Sequence, residues 1–267
     1  MKKLLMILLS LLLLSACANN NQNNEGSVSE KDKLARVEEA GKLIIAMEGT
    51  WAPWTYHDET NELVGFDVEV GKYIADYLGV EAEFVEGEWD GLLAGVEAGR
   101  YDMLVNGCTI TAERQNTYDF SNPYAYDTMA VIVKNDNDDI KSFDDLKGKT
   151  TANTITSVYA EVAEKHGATV TPVDDLVQTF LLLEQGRIDA TLNAQVAYGD
   201  YIKANPNAPI KIAVLAEESD PIGIPMQKTA DNKTFVKKVN EAIADMAKTG
   251  KLSEVSNKYF GVDITTK

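Results

Sequence analysis

The sequence predicts an α/β protein of two lobes, each a mostly parallel sheet flanked by helices, with two strands crossing between the lobes as a hinge. Three observations predict it. Strand-like and helix-like segments alternate twice along the 267 residues, the order that gives parallel strands covered by helices on both faces. A ten-residue pattern recurs at a constant offset, marking two similar units. Hydrophobic residues make up 45% of the chain, enough to core two medium-sized domains.

The N-terminus stands outside that pattern. Lys2 and Lys3 precede an apolar run from Leu4 to Leu9 that continues past Ser10 to Leu14, the layout of a signal peptide. The run is shorter than the ~20 residues that cross a membrane, so the mature chain is not expected to span one. Leu14, Ser15, Ala16 and Cys17 resemble the lipobox of bacterial lipoproteins. That resemblance implies removal of residues 1–16 and acylation of Cys17 by palmitate-like chains, which hold the protein at the outer face of the cell membrane. Residues 17–33, rich in Asn, Gln, Ser and Glu, read as a flexible tether. Cys108 is the one other cysteine, so with Cys17 acylated no internal disulfide can form.

Folded sequence is expected from Leu34. Lys42 to Met47 is the first strand, followed by a turn-rich loop with Trp51, Pro53 and Trp54. Val70, Ile74 and Leu78 recur every four residues between Asp67, a candidate helix cap, and Gly79, a candidate left-handed stop. A strand at Glu81 to Val85, a helix carrying Trp89, Leu92, Leu93 and Val96, and a strand at Met103 to Val105 complete the first unit. The repeat sits at its end: EAGRYDMLVN, with Glu97, Gly99, Arg100, Asp102 and Asn106, returns as EQGRIDATLN, with Glu184, Gly186, Arg187, Asp189 and Asn193. Before the second copy come a strand near Lys149 to Asn153, a helix near Val158 to Lys165, a strand at Thr169 to Pro172 and a helix with Leu176, Phe180 and Leu183. Helical periodicity returns at Phe235, Val239, Ile243 and Met246 and again at Leu252, Val255 and Tyr259. The lobes are therefore expected to comprise residues 34–127 with 222–267, and residues 128–221, with crossings near 126–131 and 219–225. Ligands of open α/β sheets bind beyond the carboxyl ends of the strands, which places Asn106 and Asn193 on opposite lips of one cleft.

Composition and spacing exclude several function classes. A formal charge of −17 argues against nucleic acid as a partner. His57 and His166 fall in different lobes with no second histidine near either, so neither a zinc site nor a Ser/His triad finds its spacing. No phosphate-binding glycine loop is present. No metal, cofactor or catalytic group is expected. The strongest constellation is Thr109, Ile110, Thr111, Ala112, Glu113 and Arg114 with FSNPY at 120–124. Thr111 can cap a short turn, and free backbone amides there, the Thr109 hydroxyl and the Arg114 guanidinium make a fork suited to a carboxylate.

With GTWAPW (49–54), ELVGFDVEV (62–70), WDGLLAGVEAGRYD (89–102), LKGK (146–149) and AIADMAKTGKLSEVSNKYFG (242–261), this constellation resembles the solute-binding proteins of amino-acid ABC transporters, over nearly the whole mature chain. The resemblance implies a periplasmic-binding-protein-like fold, a polar amino acid such as cystine as ligand, an ABC permease as partner and a monomeric receptor outside the cytoplasm. It implies that Arg114 grips the ligand α-carboxylate, with Thr109, Gly107 and Ser157 as further donors, that Trp51 and Trp89 flank the ligand, and that Asn193 belongs to the second lip. The chain departs from the family at Ala194, where members commonly place an Asp that pairs with the α-ammonium. Either Glu48, at the end of the first strand, compensates, or the ligand lacks a free α-ammonium. Proteins that acquired dehydratase activity on the same fold give an enzymatic alternative, with Glu48 as acid; a sensory or surface-binding role is another.

Overall fold

The computed structural model describes residues 32–267. Cys17, the 1–16 signal segment and most of the 17–33 tether lie outside the described residues. The first described helix is α1 (Lys33–Ala40), capped by Asp32, whose carboxylate accepts from the Ala35 amide at 2.9 Å. Then come β1 (Lys42–Met47), the short strands β2 (Thr50–Trp51), β3 (Thr55–His57) and β4 (Leu63–Val64), α2 (Phe66–Leu78), β5 (Glu81–Glu86), α3 (Trp89–Glu97), β6 (Met103–Leu104), α4 (Arg114–Thr117) and β7 (Tyr118–Phe120). After β8 (Ala125–Asp127), the second lobe contains β9 (Met129–Lys134), β10 (Thr150–Asn153), α5 (Val158–Lys165), β11 (Thr169–Pro172), α6 (Leu176–Glu184), β12 (Ala190–Ala194), α7 (Gln195–Ala204) and β13 (Ile210–Leu215). The chain then passes through β14 (Asp220–Ile222) to β15 (Pro225–Gln227), α8 (Lys233–Lys248) and α9 (Lys251–Phe260).

Each lobe is built on a five-stranded sheet, in the order β5-β1-β6-β15-β7 and β11-β10-β12-β9-β13. The pairings are parallel among the first three strands and antiparallel on both sides of β15 and of β9. Each sheet thus has one reversed strand, and in each it is the strand that follows a crossing. The crossings themselves, β8 and β14, pair antiparallel with Asp127 opposite Asp220, forming the two-strand hinge that the sequence predicts.

Alternation along the strands gives each sheet two buried faces. In β1, Leu43, Ile45 and Met47 pack into the core shared with Phe66, Ile74, Phe235 and Val239, while Ala46 faces Trp89, Leu92 and Leu104. In β9, Met129, Val131 and Val133 face one core while Ala130 and Ile132 face another, with Phe180 and Leu183. The repeat has a structural meaning. Gly99 and Gly186 both adopt left-handed conformations, at φ +71° and +67°, which an L side chain resists. Asp102 accepts from the amide of Ile44 in β1, and Asp189 from that of Thr150 in β10, each at 2.7 Å. The equivalent aspartate, just before β6 or β12, ties that strand to its neighbour β1 or β10.

Asp67 departs from the expectation. It does not cap α2, whose N-cap is Gly65. Its carboxylate is fully buried and accepts from the Gly107 amide at 2.5 Å and the Tyr124 hydroxyl at 2.8 Å. Partners across the lobe outcompete the local capping role because a buried carboxylate requires donors. The loop after β1 also holds more structure than its turn-rich sequence suggests: β2, β3 and β4 form a small antiparallel sheet. Among the described residues no helix is long and apolar enough to cross a membrane.

Candidate functional site

A cleft of about 650 Å³, counted out to open solvent, lies between the sheets and is lined by both lobes. Glu48, Trp51, Trp89, Gly107, Thr109 and Arg114 from the first lobe and Ser157 and Asn193 from the second all line it, so the structure brings together every residue singled out from the sequence for this site.

Arg114 opens α4, and its amide donates to the Thr111 hydroxyl at 3.1 Å. The side chain is 9% exposed, and its guanidinium carbon lies 5.3 Å from the Trp89 ring centroid. That face-on contact is favourable for a cation. Nη1 donates to the Thr109 carbonyl at 3.1 Å and lies 3.6 Å from Cys108 Sγ, while Nη2 crosses to the second lobe and donates to the Thr156 carbonyl at 3.2 Å. Trp89 is therefore the platform under the arginine as well as a cleft residue, and it packs in one core cluster with Cys108 and Val96.

Trp51 stacks on Trp54, with ring centroids 5.5 Å apart, and its indole N–H donates across the cleft to Asn193 Oδ1 at 3.3 Å. Gly107 lets that indole approach. A Cβ there would stand 2.5 Å from the Trp51 ring, and φ is +54°. The Thr156 hydroxyl donates to Asp90, a third direct bond between the lobes.

Glu48 follows β1. Its amide donates to Asn106 Oδ1 at 2.8 Å, and its carboxylate accepts from Asn106 Nδ2 at 2.6 Å. Burial pushes its pKa up to about 7 against the lowering effect of that hydrogen bond, and the nearby carboxylates of Glu88, Asp174 and Asp90 push in the same direction. No cation is recorded against it among the described residues.

Two expected donors are already committed. The Gly107 amide is given to Asp67, which leaves that residue only its carbonyl to offer. The Ser157 hydroxyl donates to the Thr154 carbonyl at 2.6 Å and accepts from the Ala160 amide at 3.2 Å, so it caps α5. What the second lobe offers instead is the first turn of α5 itself, for Val158 and Tyr159 also line the cleft and first-turn amides have no partner within a helix. The sequence reading also missed Asn153, Asp174 and Thr179 on this wall. Only the strand-end position of Asn153, the last residue of β10, could have pointed to one of them. Cys108 is fully buried, with its thiol pKa pushed up to about 11 by that burial, as expected of a packing residue.

Residues 43–262 match the bacterial extracellular solute-binding proteins, family 3. The chain is 38% identical over 230 residues to a probable amino-acid ABC transporter-binding protein of Haemophilus influenzae, covering 86% of this chain and 89% of that one. Among solved structures it resembles an ancestral arginine-binding protein bound to arginine, at a TM-score of 0.77 and 36% identity, over 83% of this chain and 99% of that one. It also resembles the L-cystine solute receptor of Neisseria gonorrhoeae in its unliganded open conformation, at a TM-score of 0.59 and 40% identity, over 88% and 99% of the two chains. The more similar sequence gives the poorer superposition, in keeping with lobes drawn together by the three bonds across the cleft.

Proposed function

From the premise that the chain belongs to the bacterial extracellular solute-binding proteins, family 3, we propose that it is the receptor of an amino-acid ABC importer and captures a free amino acid between its lobes. The observation that carries this reading is Arg114, which is rooted in the first lobe and reaches the Thr156 carbonyl of the second just before α5. A carboxylate between them meets a guanidinium, the Thr109 hydroxyl and the first-turn amides of α5. Those donors come from both lobes and converge when the cleft closes, which is how a ligand stabilises closure: through its extra affinity for the closed form.

Glu48 is the partner for the α-ammonium. Ala194 is fully buried and does not line the cleft, and Asn193 Oδ1 is engaged by Trp51, so the second lobe offers no anion at the position where relatives commonly place one. Upstream, Cys17 carries the lipid anchor, and the closed monomer presents solute to a membrane permease.

Calorimetry of the full chain in detergent against free amino acids and their N-acetyl and deaminated analogues tests the reading. It stands if a free amino acid binds and its N-acetyl form does not, and it falls if only ligands without a free ammonium bind. Glu48, its pKa raised to about 7 by burial, also suits a catalytic acid of the dehydratase type; turnover of a cyclic amino-acid precursor at catalytic protein concentration supports that second reading, and stoichiometric capture removes it. Partition of the wild type, but not of Cys17→Ala, into a detergent phase tests the anchor.

A further inference from the structure

Charges and hydrogen-bond capacity in the cleft are unevenly matched. Arg114 is the one cationic side chain among the described lining residues, whereas Glu48, Asp174 and Asp175 are acids. Asp175 is used locally: its carboxylate accepts from the Gln178 amide at 2.6 Å and caps α6. Asp174, beside it on the second lobe, has no hydrogen bond or ion pair recorded to its carboxylate, and it lies near enough to Glu48 to raise the latter's pKa.

A second, independent feature stands on the same wall. Asn153 is 4% exposed and lines the cleft; its Nδ2 donates to the Leu192 carbonyl at 2.7 Å and to the Thr191 hydroxyl at 3.4 Å, but its Oδ1 has no partner. A buried amide oxygen without a donor is costly unless a ligand or water supplies one. The Thr179 hydroxyl is turned away, donating to the Asp175 carbonyl at 3.0 Å. This wall is therefore rich in acceptors and poor in donors.

Building on the receptor reading above, we infer that the solute is a net-cationic amino acid, with one carboxylate and two cationic groups, and that Asp174 and Asn153 receive the second cationic group, an ammonium or guanidinium. One carboxylate satisfies Arg114 and one ammonium satisfies Glu48, which leaves Asp174 uncompensated for any amino acid with a single cationic group. Cystine brings a second ammonium, but with it a second carboxylate that enters among acids with no second cationic side chain on the described cleft wall to meet it. A cationic tail supplies N–H donors to both unmatched acceptors.

The test is calorimetry of the full chain in detergent with arginine, lysine, glutamine and cystine, on wild type and Asp174→Asn. Arginine or lysine is expected to bind about tenfold or more tightly than glutamine and cystine, as one partly desolvated ion pair provides. Asp174→Asn, on an exposed loop, should remove most of that preference. Equal or tighter binding of cystine or glutamine, or an unchanged preference in Asp174→Asn, overturns the inference and leaves the receptor reading standing. Binding of none of the free amino acids overturns both.

Discussion

The indole N–H of Trp51 in the first lobe donates to Asn193 Oδ1 in the second at 3.3 Å, and the same oxygen accepts from the Ala194 amide at 2.9 Å. Asn193 is thereby held in one orientation by its own backbone while it takes the indole proton. The contact needs no ligand, so it contributes to closure directly. A single such bond is worth about 0.5 to 1.5 kcal/mol net. Asn193→Ala should therefore speed ligand release about 2- to 12-fold with little change in the association rate, read by stopped-flow fluorescence. An unchanged release rate would show that the bond does not hold the closed form.

Arg114 is the centre of the carboxylate fork. Removing a charge that is paired and desolvated in a complex costs about 2 to 5 kcal/mol, so Arg114→Ala should weaken amino-acid binding by a factor of about 30 or more in calorimetry. The loss should be confined to binding. The two carbonyls the guanidinium leaves, of Thr109 and Thr156, border a cleft that water can enter, so the unliganded melting temperature should change little.

Glu48 makes affinity pH-dependent. Its pKa stands at about 7 in the folded chain against an ordinary 4.5, chiefly through burial. It must ionise to hold an ammonium, so affinity should rise with pH until about 7 and level off above, changing about tenfold per unit below. Stability of the unliganded protein has the opposite sign. Between pH 4.5 and 7 the folded chain keeps a proton that the unfolded chain loses, so this group's contribution falls as pH rises through that window. Buried Asp67 and Asp127, each raised to about 7 by burial, act the same way on stability. Glu48→Gln should flatten the affinity profile, and a profile identical to wild type would remove Glu48 from the site.

Gly107 carries a conformational and a steric requirement together. At φ +54° with a Cβ position 2.5 Å from the Trp51 ring, Gly107→Ala must strain its backbone and displace the indole. A destabilisation of about 1 to 3 kcal/mol is expected from denaturant titration. Tryptophan fluorescence should shift as the Trp51–Trp54 stack opens, and ligand affinity should fall with it.

Cys108 should behave as an inert packing group. With no exposure and a thiol pKa of about 11, it should resist thiol reagents in the native state and react on unfolding. Labelling of the folded protein at neutral pH would contradict that environment.

Local pattern was enough to determine much of this protein. The spacing of Val70, Ile74 and Leu78, the alternation in β1 and the recurring Gly-Arg-x-Asp all encode burial or a turn through near neighbours in the chain, and each appears where expected. The cleft residues were also legible, most of them through the family resemblance that TITAER and GTWAPW help to carry, and Glu48 and Asn193 through their places at strand ends. Tertiary structure alone decided how donors and acceptors are allocated. Asp67 reads as a cap in sequence but answers to Gly107 and Tyr124, which are distant in the chain. Ser157 reads as a ligand donor but spends its hydroxyl on Thr154 and Ala160. Asp174 carries no local signal and Asn153 only its strand-end position, and they become a wall of the site only because the fold brings the end of β10 and the turn before α6 into the cleft that Glu48 also lines. The physical reason is one of range: hydrophobic periodicity is a property of adjacent turns and pleats, whereas a hydrogen bond or a charge is satisfied by whatever the fold sets beside it.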